Sequence, residues 1–203
     1  MARLTGWPGR SGLMARLGLL VVFVAVLWAV QAVNWASGYA LNRALGLVPR
    51  QLDGLRGILA MPLLHGGFGH LAANTPPLLV MGALLASTAG RAIWSATALI
   101  VLLGGGLVWL LGAPAIHIGA SGLIFGWFGY LVTRGLWDRA PLALGVALAV
   151  ALFYGSMIWG VLPGQPGVSW ESHLFGALAG AIAAFVLRAG VRAGVRAPSG
   201  RRR

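Results

Sequence analysis

The chain has 203 residues, and 59% of them are hydrophobic. Soluble domains contain about 45–50% apolar residues, so this composition excludes an ordinary soluble domain and favours a membrane protein. The net charge is +12, because arginines, with no lysine, supply all 15 basic residues against only three acidic residues. The arginines lie between and after apolar runs, which favours a role in membrane topology over nucleic-acid binding.

Six apolar segments predict an all-α protein with six membrane helices. In chain order they cover residues 14–36, 69–88, 92–112, 121–134, 141–161 and 171–189. The first is too long for the apolar core of a cleavable signal peptide, so we expect it to remain as a helix. The fourth is short, since its apolar run gives a helix of about 20 Å against a bilayer core of about 30 Å. One end of this helix is therefore predicted to start within the membrane depth, surrounded by protein or water.

The arginines also predict which way the chain crosses the membrane. Twelve of them lie at the start of segment 1, between segments 2 and 3, between segments 4 and 5, or at and after the end of segment 6. The other side has only Arg43, Arg50 and Arg56. Because basic loops stay in the cytoplasm, both termini are expected there. We expect residues 1–13 to form a basic N-terminus, 14–190 the membrane domain and 191–203 a disordered basic tail.

Four polar residues fall at the outer ends of three segments. Ser121 opens segment 4, His173 opens segment 6, and His70 and Asn74 lie at the start of segment 2. Polar residues at membrane depth are costly and usually functional. A histidine can activate a serine nucleophile, and the serine amide and the two segment-2 side chains can donate hydrogen bonds to an oxyanion. The sequence therefore predicts acyl transfer by a Ser121–His173 dyad, since Glu171 would point elsewhere on its helix.

Glycines accompany these polar residues. Gly119 and Gly122 stand on either side of the serine and permit close backbone approach. Segment 4 contains Gly122-x-x-x-Gly126, and segment 6 contains Gly176-x-x-x-Gly180. This spacing of small residues lets membrane helices touch closely. Segments 4 and 6 are therefore expected to pack tightly, as a Ser–His hydrogen bond requires.

Three motifs, taken together, make the sequence resemble the rhomboid family of intramembrane serine proteases. They are HGGFGHLAAN (65–74), GASG (119–122) and HLFGALAG (173–180), which match H-x-x-x-x-H-x-x-x-N, G-x-S-G and H-x-x-G-x-x-x-G. The resemblance spans about residues 14–190. It implies a six-helix bundle around a water-accessible cavity below the outer surface. It also implies cleavage of transmembrane segments of other membrane proteins, with no metal or cofactor.

The resemblance further implies a role for each residue of these motifs. Ser121 would be the nucleophile and His173 the base, while His70 and Asn74 would line the oxyanion hole. His65 would have a structural, hydrogen-bonding role in its loop.

The chain also departs from the family pattern. Many rhomboids have a tyrosine that stacks on the catalytic histidine, and here Phe125 keeps the ring but loses the hydroxyl. Pro76 and Pro77 are expected to kink helix 2 close to the asparagine. The first loop lacks the Trp-Arg pair of many relatives, so its membrane anchoring is expected to differ. His117 is expected to be a packing or hydrogen-bonding group.

Other interpretations use some of the same residues. A catalytically silent rhomboid-like protein would bind client helices, but such relatives have usually lost the serine or the histidine. A zinc protease would need ligands such as His65 and His70, but H-E-x-x-H is absent and their spacing does not place them on one helix face. The scarcity of acidic residues and the lack of an inverted repeat argue against a transporter. We therefore expect membrane-protein substrates and a lipid bilayer as partners, and the arginine-rich, lysine-free composition indicates a bacterial cell membrane.

Overall fold

The computed structural model describes residues 10–138 and 140–196, which are organised almost entirely as helices. The nine α-helices in these ranges are α1 (Arg10–Ala36), α2 (Ala40–Leu45), α3 (Gly57–Ala60), α4 (Phe68–Thr88), α5 (Ala92–Leu99), α6 (Gly105–Leu111), α7 (Ser121–Asp138), α8 (Pro141–Tyr154) and α9 (Trp170–Arg196). A π-helical turn, Ile100–Gly104, joins α5 to α6, and a 3-10 turn, Gly155–Val161, extends α8. The prediction of an all-helical chain is thus confirmed for the described residues.

Five helical stretches are long and apolar enough to cross a membrane. They are Ser11–Ala36, Phe68–Thr88, Ala92–Leu111, Pro141–Val161 and Trp170–Arg188. They coincide with five of the six predicted segments. Large apolar side chains remain exposed along their outer surfaces, such as Val21, Leu148 and Phe153. Such exposure is expected where lipid, rather than water, surrounds a helix.

The sixth predicted segment corresponds to α7, which lies at the centre of the bundle. It begins at Ser121, but it ends at Asp138 rather than at residue 134. Its 18 residues give a length of about 27 Å instead of 20 Å. In this last turn Arg134 and Asp138, four residues apart, make an ion pair at 3.0 Å. Most α7 side chains are buried by neighbouring helices.

Glycines bring the backbones of α7 and α9 into contact. A methyl group on Gly176 would overlap the carbonyl of Gly122, and one on Gly180 would overlap the carbonyl of Gly126. From the other side, a methyl group on Gly122 would lie 3.2 Å from the Ser172 carbonyl oxygen. The two small-x-x-x-small patterns therefore face each other, and no larger residue fits at this crossing.

Helix α4 begins at Phe68 and continues through Pro76 and Pro77 to Thr88. Each proline removes one backbone donor, so the carbonyls of Ala72 and Ala73 have no amide partner four residues later. The Thr75 hydroxyl donates to the carbonyl of Leu71 at 2.8 Å. This part of α4 therefore mixes backbone and side-chain hydrogen bonds.

The segment between α2 and α4 packs against the loop of residues 112–120, which leads to α7. Leu47 and His117 form an antiparallel bridge, with N···O distances of 3.1 and 2.8 Å. Arg50 Nη1 donates to the Gly112 carbonyl at 2.8 Å. The loop before Ser121 is thus held at both ends.

The ends of the chain lie partly outside the described residues. Helix α9 continues to Arg196, into the segment 191–203 for which the sequence predicts a disordered tail. Residues 197–203 and 1–9 lie outside the described ranges, so the expectations for the remainder of that tail and for most of the N-terminus fall on them.

Candidate active site

The first residue of α7 and the first turn of α9 place Ser121 against His173. The Ser121 Oγ lies 2.8 Å from His173 Nε2. On the other side of the ring, His173 Nδ1 lies 2.8 Å from the carbonyl oxygen of Gly160. A carbonyl only accepts, so Nδ1 carries the proton of the neutral ring and donates it to Gly160. The lone pair of Nε2 therefore faces the serine hydroxyl, which donates to it.

Phe125 fixes the plane of the His173 ring. The two rings are parallel within 6°, and their centroids are 4.1 Å apart. Phe125 lies four residues after Ser121 on α7, so both side chains face His173. The imidazole is held by an aromatic face, a hydroxyl and a carbonyl.

Gly160, in the 3-10 turn after α8, is a part of this arrangement that sequence reasoning missed. A methyl group there would be 2.9 Å from the Phe125 ring and 3.2 Å from His173 Nδ1. Only glycine lets the backbone approach the two rings this closely. Its carbonyl occupies the place where many Ser-His enzymes have a carboxylate. A backbone carbonyl leaves no mark in a sequence, so only the close approach at a glycine, seen in three dimensions, identifies it.

A cavity of about 770 Å³ opens beside this pair. It is lined by Ser121 and His173 and also by the predicted oxyanion residues His70 and Asn74. All four predicted residues therefore share one cavity, reached from the ends of α4, α7 and α9.

The His70 ring presents a donor towards the serine loop. The Gly66 amide lies 3.5 Å from His70 Nδ1, so in the neutral ring the proton is on Nε2. Gly119 contacts that side of the ring, since a methyl group there would be 3.1 Å from Nε2. Gly119 also has φ +123°, which other residues rarely adopt. Glycine is needed here for both reasons.

Asn74 supplies a second donor. Its side chain is 8% exposed, and its Nδ2 is buried without a hydrogen-bond partner among the described residues. An unpaired buried donor costs about 1–3 kcal/mol. A buried amide that lines the cavity without a partner can donate a hydrogen bond to a negative charge that forms there only during a reaction.

His65 holds the same loop through hydrogen bonds. It is fully buried, its Nε2 accepts a hydrogen bond from the Ala120 amide at 3.3 Å, and its carbonyl accepts one from Asn42 Nδ2 at 3.0 Å. Burial, together with the neighbouring His70, lowers the pKa of His65 to about 4. The ring is therefore neutral near pH 7 and keeps the lone pair that holds the residue before Ser121.

A second hydrogen-bonded network ties the loop 112–120 to the start of α9. His117 Nδ1 lies 2.6 Å from Ser169 Oγ, and its Nε2 lies 3.0 Å from the Ala113 carbonyl oxygen. Ser169 Oγ is 2.6 Å from Ser172 Oγ, and Glu171 Oε1 accepts from the Ala113 amide at 3.1 Å. Glu171 thus faces the loop rather than the dyad. The segments that carry Ser121 and His173 are joined by side chains as well as by helix packing.

Comparison with known proteins identifies the family. A family model described as a rhomboid domain matches residues 53–190, which include all three motifs. The chain belongs to the rhomboid family. With its five apolar helices, this rhomboid is an integral membrane protein.

Relatives of this rhomboid occur in mycobacteria. An uncharacterized protein of Mycobacterium tuberculosis (strain ATCC 25618 / H37Rv) is 44% identical over 171 residues, covering 79% of this chain and 70% of the relative. One of Mycobacterium bovis gives the same values. One of Mycobacterium leprae is 39% identical over 170 residues, covering 79% of this rhomboid and 66% of the relative. These relatives favour a bacterial source for the chain.

Proposed function

We propose that this rhomboid is an intramembrane serine endopeptidase that cleaves transmembrane segments of other membrane proteins. The observation that carries the proposal is the hydrogen bond of 2.8 Å between Ser121 Oγ and His173 Nε2, with Nδ1 committed to the Gly160 carbonyl. This is the tautomer that a general base needs in order to take the serine proton.

In the first half of the reaction, His173 Nε2 takes the proton as Ser121 Oγ attacks the scissile carbonyl carbon. The imidazolium that forms is stabilised at Nδ1 by the Gly160 carbonyl. The tetrahedral intermediate collapses when His173 gives the proton to the leaving amine nitrogen and the C–N bond breaks. In the second half, water attacks the acyl-enzyme with His173 again as base, which releases the new carboxyl end and restores the hydroxyl of Ser121.

Three donors are proposed to hold the oxyanion: the Ser121 amide, His70 Nε2–H and Asn74 Nδ2–H. The Ser121 amide, at a helix start, is free of intrahelical partners. The absence of a described partner for Asn74 Nδ2 supports this assignment, because the amide gains a hydrogen bond only when charge develops in the cavity. Interactions that strengthen in the transition state lower the barrier, whereas equal binding of substrate does not.

For the topology, we propose six crossings within a membrane domain of about residues 14–190, with α7 as the crossing enclosed by the others. A helix surrounded by protein does not need the apolarity of one that faces lipid. The distribution of arginines supports cytoplasmic termini and an active site towards the outer face. Substrates would then present an unwound part of a transmembrane segment to the cavity at that face.

The proposal is tested by cleavage of a single-span membrane substrate by the purified protein in detergent. We expect cleavage by wild type, none by Ser121→Ala or His173→Ala, and no effect of a chelator. A rhomboid that only binds client helices would retain the substrate uncut in all three proteins. Cleavage that survives in Ser121→Ala, or that a chelator abolishes, would contradict the serine mechanism.

A further inference from the structure

A second cavity, of about 340 Å³, lies at the end of α7 opposite to Ser121. It is lined by Ala89, Ala92, Tyr130, Arg134, Asp138, Ala140, Ala184, Leu187 and Arg188. This cavity shares no lining residue with the one beside Ser121, and its nearest α7 residue, Tyr130, lies about 14 Å along the helix from Ser121. It therefore has no part in the reaction described above, and its charged residues need their own explanation.

Arg134 carries more hydrogen-bond donors than its surroundings satisfy. Its Nε donates to Asp138 Oδ2 at 3.0 Å. Its Nη1 is buried and has no hydrogen-bond partner in the described part of the chain. A buried guanidinium N–H without an acceptor is costly, so this position favours an additional negatively charged or strongly accepting group.

Asp138 is already shared between two arginines. Arg188 Nε lies 3.7 Å from its Oδ1, and the Arg188 guanidinium lies 5.7 Å from the centre of the Trp137 ring. These contacts keep both guanidinium groups at the cavity, with one carboxylate against two positive charges. The cavity is thus left with a net positive charge among its described residues.

The rest of the cavity wall is of a different character. Tyr130, almost fully buried, forms part of the wall, and Ala89, Ala184 and Leu187 add an apolar surface. A ligand that fits this wall has an anionic group at one end and an apolar part beside it. A hydrated inorganic anion matches only the charged half.

We propose that this cavity binds the phosphate group of an anionic phospholipid. A guanidinium pairs with phosphate through two parallel N–H···O bonds, which a lysine does not provide. The arginine-rich end of the bundle is the end that the topology above assigns to the cytoplasm, where anionic lipids attract basic groups. The phosphate accepts from Arg134 and Arg188, while the glycerol and first methylene groups contact the alanines and Leu187.

The experiment measures lipid binding by the full-length protein in neutral detergent, without reference to cleavage. Phosphatidylglycerol, phosphatidylcholine or inorganic phosphate is added, and lipid retention by native mass spectrometry is recorded with the midpoint of thermal unfolding. We expect phosphatidylglycerol to be retained and to raise the midpoint, and the other two to have little effect. Arg134→Gln and Arg188→Gln should each weaken phosphatidylglycerol binding by about ten-fold or more, because glutamine has no charge and keeps at most one of the two hydrogen bonds of the guanidinium.

Arg56→Gln is the matched control, since it removes the same charge from an exposed arginine that does not line the cavity. It should bind phosphatidylglycerol as wild type does. If Arg134→Gln does not fold, two other variants test the same contact. One is Arg188→Gln, and the other is Arg134→Lys, which keeps the positive charge but loses the planar guanidinium. Equal protection by inorganic phosphate would overturn the lipid assignment. If the Arg134 and Arg188 variants retain phosphatidylglycerol as wild type does, or if Arg56→Gln loses it to the same extent, the lipid does not bind in this cavity. Because binding is the readout, a failed protease assay would not affect either conclusion.

Discussion

Substitution of Gly160 by alanine tests how His173 is oriented in the absence of a carboxylate. The new methyl group would be 2.9 Å from the Phe125 ring and 3.2 Å from His173 Nδ1, so one of these rings or the turn must move by several tenths of an ångström. The Nδ1–H bond to the Gly160 carbonyl, now 2.8 Å, would lengthen or break. We therefore expect the imidazole to lose its fixed tautomer and direction.

The magnitude follows from the charge that His173 acquires during the reaction. A hydrogen bond between neutral groups contributes about 0.5–1.5 kcal/mol, and one to a charged group about 1.5–3 kcal/mol. Only the difference, about 1–1.5 kcal/mol, is specific to the transition state. Since 1.36 kcal/mol corresponds to a factor of ten in rate, kcat should fall about 5- to 15-fold while KM changes little.

The assay is steady-state cleavage of a single-span substrate, with kcat and KM measured separately. Gly155→Ala is the matched control, because Gly155 is in the same turn, has φ −60° and would place a methyl group with nothing within 4 Å. It should have wild-type kcat. Wild-type kcat in Gly160→Ala, or equal impairment of Gly155→Ala, would show that the Gly160 carbonyl does not orient His173.

Four further predictions concern the site and the helix packing around it. Asn74→Ala should fold and bind substrate but lower kcat by about 10²-fold or less, through loss of one oxyanion donor; unchanged kcat would remove Asn74 from that role. Gly176→Ala should lower the thermal unfolding midpoint or prevent folding, because its methyl group would overlap the α7 backbone. Gly145 has open space around it, so Gly145→Ala should have the unfolding midpoint of the wild type. His117→Ala should lower both kcat and the unfolding midpoint, because it disconnects the loop 112–120 from α9; a loss of neither would show that the network has no positioning role. Acidification from pH 7 to 5 should lower the free energy of unfolding by about 2 kcal/mol through His65. The pKa of His65 is about 4 in the folded protein and near 6.5 in the unfolded chain, so the unfolded chain binds more protons in this range. A His65→Gln variant should lose less stability over the same pH interval, and an equal loss would show that His65 is not the group responsible.

The helical segments could be predicted from the sequence because long apolar runs leave few alternatives in a membrane. The close crossing of α7 and α9 could also be predicted, since the paired glycine patterns act through local spacing. The end of α7 could not be predicted from hydropathy, because its last turn combines the ion pair between Arg134 and Asp138 with a glycine and two apolar residues.

The contacts that complete the candidate site are of another kind. The Gly160 carbonyl belongs to the backbone, and every residue type has one, so the sequence does not show which carbonyl accepts from His173. The hydrogen bond between His117 and Ser169 joins loops 52 residues apart in the chain, and neither loop has a helical or strand period that would place its side chains. Such contacts depend on how the loops fold over one another, which local sequence patterns do not determine.

If His173 activates Ser121 as a nucleophile, as proposed, covalent labelling of that serine reports the activation without any substrate. The purified protein is incubated with a fluorophosphonate, which phosphonylates activated serines, and the modified peptide and its rate of formation are determined by mass spectrometry. We predict a single adduct on Ser121 in the wild type and a labelling rate at least 100-fold lower in a folded His173→Ala variant. A folded wild type that is not labelled at Ser121, or equal labelling of His173→Ala, would show that His173 does not activate this serine.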